Sequence, residues 1–139
     1  MYQIIILDSE ALAVSREQDV VPFRNRAREY AAKIGMGMVN QVKLITAASE
    51  LARNMLKYAQ GGTISIELIS KGFDKGVRLK FMDKGPGIED IRLAMQDGYS
   101  TGKGLGMGLP GSRRLVSEFD IQSNVGAGTT VTIIKWKNG

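Results

Sequence analysis

The 139 residues include no cysteine and no histidine. Without cysteine there is neither a disulfide frame nor a thiolate metal site, and a reducing cytoplasm is the expected compartment. The missing histidine removes the usual zinc ligand, any Ser-His-Asp arrangement and any phosphohistidine intermediate within this chain. Long apolar runs are lacking as well: none approaches the ~20 residues that span a bilayer, so no membrane partner is expected. Met1 to Leu7 carry no basic segment and no small-residue cleavage site, which argues against secretion. There is no repeat, no low-complexity stretch and no linker. One domain over residues 1–139 is the expected organisation.

What is present is ordinary for a globular chain: 43% apolar and 24% charged residues. At this length one core can bury roughly two-thirds of the unfolded surface, so no staple is needed. The net charge of +5 is spread along the chain without clustering. A solvated basic surface that suits an anionic nucleotide explains it better than nucleic-acid binding.

Gln3 to Leu7 reads as a short strand. Asp19 offers an N-cap, with Pro22 tolerated in the first turn of a helix carrying Val20, Phe23, Ala27, Tyr30, Ala31 and Ile34. Gly35 is its stop. A second helix is predicted from Val39 to Ala59 with an inward stripe of Val42, Ile45, Ser49, Ala52 and Leu56, closed by Gly61-Gly62. Two alternating strands follow, Ile64 to Ile69 and Val77 to Phe81, as a hairpin with a longer loop over Lys71–Gly76. Leu109 to Phe119 reads as helix, Ile121 to Ser123 as a short strand and Thr129 to Trp136 as the last strand. Strands and helices do not alternate strictly. The expected fold class is therefore α+β, a two-layer sandwich with helices on one face of a mixed, mostly antiparallel sheet.

Four pieces carry the chemistry. Glu50 and Asn54 stand four residues apart on one face of the second helix, away from its apolar stripe. An acid beside an amide suits a proton acceptor and an oxygen ligand for Mg²⁺, although alone the pair is more often a solvated edge. Asp83-Lys84-Gly85-Pro86-Gly87 follows a strand; its carboxylate can accept from an exocyclic amino group, and its glycines let backbone approach a flat ring. A plain turn is an equal reading of that piece alone. Gly102-Lys103-Gly104-Leu105-Gly106-Met107-Gly108-Leu109 opens a helix with alternating glycines, which frees backbone N–H groups for phosphate. It is no Walker loop, because the stretch from Gly98 is one residue short of G-x-x-x-x-G-K and lacks the following Ser or Thr. Gly106 to Gly111 matches G-x-G-x-x-G, yet no strand precedes it and no βαβ unit surrounds it. The last piece, Gly126-Ala127-Gly128-Thr129, is by itself a tight turn.

Order and spacing together change the odds. Glu-x-x-x-Asn on a helix, Asp-x-Gly-x-Gly after a strand, a glycine-alternating loop opening a helix, then Gly-x-Gly-Thr before a final strand resembles the GHKL ATPases, over Asn40 to Trp136. The resemblance implies the Bergerat fold, with ATP and Mg²⁺ as cofactors. It makes Glu50 the general base, Asn54 the Mg²⁺ ligand and Asp83 the adenine anchor, with Gly85, Gly87 and Ile88 in the adenine loop. Lys103, Gly104, Leu105, Gly106, Met107, Gly108 and Leu109 become the phosphate-covering lid, and Thr129 sits near the adenine end.

Within that superfamily, sensor kinases need a phosphoacceptor histidine, and the gyrase, MutL and Hsp90 types need further domains. The segments Ser49–Asn54, Asp83–Ile88, Gly98–Thr101 and Gly104–Gly111 look like the small serine kinases of bacterial partner-switching systems, the RsbT branch. What this implies is transfer of phosphate from ATP to a serine or threonine of a STAS-domain antagonist. On release the kinase would bind a second partner, a phosphatase or similar output. Two other roles stay open: an anti-sigma factor that sequesters a sigma subunit, and a nucleotide-gated module with little transfer. An exposed first strand would allow a homodimer. Arg53, Arg113 and Arg114 could serve a partner, with plain surface charge the commoner reading.

Overall fold

The structure is a computed structural model that describes residues 2–96 and 108–139. Among these described residues five strands form one sheet: β1 (Ile4–Val14), β2 (Gly62–Lys71), β3 (Asp74–Met82), β4 (Glu118–Asn124) and β5 (Gly128–Trp136). Their order is β1-β2-β3-β5-β4, and each neighbouring pair is antiparallel. The expected α+β sandwich is present, while the mixed sheet becomes a wholly antiparallel one among the described residues. Helices α1 (Val20–Lys33) and α2 (Met38–Ala59) cover one face, and α4 (Gly108–Leu115) packs along α2. A single turn, α3 (Ile91–Ala94), lies between β3 and α4.

The core is where the two periodicities meet. Ile64, Ile66, Val77, Leu79, Phe81 and Ile133 point from the sheet at Phe23, Ala27 and Ala31 of α1 and Leu44, Ala48 and Leu51 of α2. Phe23 meets Phe81 edge-to-face, ring centroids 5.8 Å apart. The inward stripe of α2 is rotated from its expected position. Leu44, Ala48, Leu51 and Met55 lead it, Ile45, Ser49 and Ala52 flank it, and Val42 stands 56% exposed.

Several expected boundaries move for physical reasons. β1 runs on to Val14 because its backbone ladder with β2 continues as far as Val14 opposite Gly62, and its acids meet cations on α1: Arg26 Nε donates to Glu10 at 2.9 Å, and Lys33 reaches Asp8 at 3.7 Å. A bulge between Ile6 and Asp8 shifts the register there. Asp19 holds the expected N-cap position of α1 but makes no side-chain cap hydrogen bond to the helix. Its Oδ2 instead accepts from the N–H groups of Ser15 and Arg16, at 2.9 and 3.1 Å, and closes the turn before α1. The β2–β3 turn is two residues, Gly72-Phe73, since Lys71 and Asp74 still pair. Gly72 adopts φ +63°, the glycine-first pattern of a tight hairpin. The helix expected to reach Phe119 ends at Leu115, and Ser117 N–H bonds to Ile134 O at 2.8 Å as β4 begins. Gly35 stops α1 as expected, at φ +78°.

Candidate functional site

The C-terminal end of α2, the end of β3 and the β4–β5 turn converge at one end of the sheet. Asp83, the first residue beyond β3, is the hub. Its N–H donates to Thr129 O at 2.9 Å, while its Oδ1 accepts from the N–H groups of Gly85 and Thr129, at 2.9 and 3.2 Å. One carboxylate oxygen is thus fixed by backbone, and Oδ2 carries no hydrogen bond among the described residues. Such an oxygen, held in place on a half-buried group, is suited to accept from an amino group on a planar ring.

Glycine is required for this packing. A Cβ on Gly128, at φ +113°, would stand 2.1 Å from Asp83 O; one on Gly87, at φ +81°, 2.4 Å from Asn124 O. A Cβ on Gly85 would meet the Ala59 methyl at 2.6 Å, so the loop lies directly on the end of α2. Ile88 N–H donates to Ser123 Oγ at 2.8 Å, and Ser123 Oγ lies 2.8 Å from Thr129 Oγ1. Gly126 N–H adds a bond to Pro86 O at 2.8 Å. Loop 83–88 is therefore laced to the β4–β5 turn. Ser123 is a site residue that sequence reasoning missed, and a serine alternating along a strand carries no signal that would single it out.

Glu50 and Asn54 share the edge of α2 that their spacing predicted, both half-buried. Glu50 is 19% exposed at its side chain, and Arg53 Nη1 lies 3.7 Å from its Oε1. Arg53 Nε also stands 3.5 Å from Glu17, on the short 3-10 turn before α1. Arg53 is thus an exposed cation shared between Glu50 and Glu17, as its reading as surface charge expects. Asn54 suits Mg²⁺ by its chemistry: that ion takes one or two protein oxygens and completes its shell with water and phosphate.

Gly108 opens α4 at φ +63°, and Leu109 packs against the core. Ser112 Oγ donates to Gly108 O at 3.0 Å. The other residues expected to form a lid, Lys103, Gly104, Leu105, Gly106 and Met107, lie outside the described residues. No helix of the described residues is long and apolar enough to cross a membrane.

Comparison with known proteins agrees with this geometry. Residues 39–138 match the family described as histidine kinase-, DNA gyrase B-, and HSP90-like ATPase. The chain is 45% identical over 129 residues to the serine/threonine-protein kinase RsbT of Bacillus subtilis, covering 93% of this chain and 97% of that protein. It is 28% identical over 127 residues to an anti-sigma F factor of Caldanaerobacter subterraneus, covering 88% of this chain and 89% of the relative. Among solved structures, the RsbU and RsbW domains of a Mycobacterium tuberculosis protein share its fold, at a TM-score of 0.65 and 21% identity. That alignment takes in 92% of this chain but only 32% of the larger one. The identity to RsbT over nearly the full length of both chains gives the enzyme class, a serine/threonine protein kinase using ATP. A matched profile of this extent, over an antiparallel sheet whose motif residues meet at one end, means that the chain belongs to the histidine kinase-, DNA gyrase B-, and HSP90-like ATPase family.

Proposed function

We propose that this chain, acting as one domain, transfers the γ-phosphoryl group of ATP to a serine or threonine of a STAS-domain antagonist in a partner-switching pathway. Once released from that antagonist it engages a downstream partner such as a phosphatase. The observation that carries the nucleotide half is the divided Asp83 carboxylate, Oδ1 held by two backbone N–H groups and Oδ2 left for a ligand. Kinship with a serine/threonine-protein kinase supports the transfer half.

In this reading adenine lies against Gly85, Gly87 and Ile88, with its amino group on Asp83 and Thr129 close by. The phosphates reach toward α2 and the start of α4 at Gly108, and the family resemblance assigns Lys103, Gly104, Leu105, Gly106, Met107, Gly108 and Leu109 to the phosphate-covering lid. Asn54 offers its amide oxygen to Mg²⁺, which when bound neutralises phosphate charge. The acceptor hydroxyl oxygen attacks the γ-phosphorus, and a new O–P bond forms as the bond to the bridging oxygen of ADP breaks. The hydroxyl proton passes to the Glu50 carboxylate, and ADP leaves. Such a reaction belongs in the cytoplasm. β1, the outer strand with Ile5, Ile6 and Leu7 exposed, is where a homodimer would pair.

The test is incubation of the purified chain with labelled Mg·ATP and the STAS proteins encoded beside it. Label on a STAS serine or threonine, lost with Glu50→Ala, is the expected result; ATP binding without transfer to any STAS protein overturns the substrate assignment. A second reading, sequestration of a sigma subunit, is favoured by the 28% identity to an anti-sigma F factor. Co-purification of a sigma factor in place of a STAS protein would select it.

A further inference from the structure

The opening of α2 is built unlike the rest of the helix. Its N-cap, Gly37, supplies no side-chain cap, and its first turn contains no acid to meet the helix dipole. Its outward face is apolar where charge is the rule: Met38, Val39 and Val42 are 73%, 69% and 56% exposed. Helical spacing stacks Val42 over Met38 and Lys43 over Val39.

Lysines gather beside this apolar trio. Lys135, near the end of β5, is only 5% exposed, and the charge that faces it is another cation, Lys43. Lys137 places its Nζ 3.5 Å from the position of a Cβ on Gly35, while its carbonyl accepts from Asn40 Nδ2 at 3.3 Å. Among the described residues none of these three lysines forms an ion pair. Burial first, and then Lys43, push the Lys135 ammonium below its ordinary pKa. A buried cation beside a like charge is a standing cost to the fold, and an arriving carboxylate would relieve it.

We propose that the first two turns of α2 and the end of β5 dock an acidic segment of a partner protein. Its apolar side chains would lie on Met38, Val39 and Val42, and its carboxylates on Lys43, Lys135 and Lys137. The surface is separate from the nucleotide site, since Glu50 lies eight residues beyond Val42, about 12 Å along the helix axis. It therefore does not depend on phosphoryl transfer. Other occupants fit less well. A nucleic-acid backbone has no use for three apolar side chains. A lipid surface needs more buried apolar area or a second anchor. A second copy would set lysine against lysine.

The experiment uses the full chain and a fluorescein-labelled peptide with leucines at helical spacing edged by glutamates, read by anisotropy. Saturable binding is expected, weakened at least about tenfold by Val42→Asp or Lys43→Glu, both at exposed positions that leave the fold intact. Lys135→Met keeps the buried stem and removes the charge; it is expected to weaken the peptide while raising Tm. That opposition separates a docking role from a structural one, since a residue kept for the fold would lose stability. Three results overturn the proposal: no saturable binding, equal binding by the variants, or preference for a lysine-edged peptide or for phosphatidylcholine vesicles containing phosphatidylserine. So does concentration-dependent dimerisation abolished by Val42→Asp.

Discussion

At Asp83 the difference between a carboxylate and an amide falls on one oxygen. Asp83→Asn keeps Oδ1 for the N–H groups of Gly85 and Thr129 but turns Oδ2 into a donor. The loop should stay in place while ATP binding weakens by about 1–3 kcal/mol, roughly five- to 150-fold, in a titration calorimetry experiment. Glu50→Gln should behave in the opposite way, leaving ATP affinity unchanged and lowering the transfer rate by about 10²–10⁴ in single-turnover kinetics. Tyr30 gives a pH signature. Burial, and then the Glu10 carboxylate, raise its hydroxyl to about 12. The unfolded chain loses that proton from about pH 10, before the folded one does. Tyr30 therefore subtracts stability as pH climbs through that window, and denaturant unfolding across it should show Tyr30→Phe without that alkaline fall.

Among the elements, the β4–β5 turn does more than reverse the chain. Gly128 lets Asp83 O come close, and Ser123 joins Ile88 to Thr129. Gly128→Ala places a methyl against backbone at a left-handed φ, and should cost about 1–3 kcal/mol in urea unfolding along with most ATP affinity. Much of this level was legible in the sequence. The Gly-Thr and Asp-Gly pieces were visible, and the two long helices showed in their spacing. The bonds that lace them together are not, because Ile88 and Ser123, like Asp83 and Thr129, stand far apart in sequence and nothing local pairs them. α2 shows a different limit. The spacing from Val42 allows one stripe, but the sheet selects the face centred on Leu44, Ala48 and Leu51 and leaves Val42 in water. β1 extends beyond its apolar run for the same kind of reason: the strand that pairs with Asp8 to Val14 is β2, some fifty residues on.

On the scale of the whole molecule, ATP and fold should be thermodynamically linked. The site draws on β3, α2 and the β4–β5 turn together, so a ligand bound there holds elements that unfolding must separate. Excess Mg·ATP should raise stability by about 2.7 kcal/mol at a hundredfold over Kd, and Asp83→Asn should lose most of the thermal shift at the same concentration. The strand order has a further consequence, during synthesis. β3 takes its second neighbour from β5, and Asp83 meets Thr129 only 46 residues later in the chain. While a ribosome makes that stretch, the nascent polypeptide presents an apolar strand with one edge open. The kinase would thus leave the ribosome as a chaperone client, and slow translation between β3 and β5 would cost yield more than a pause anywhere earlier.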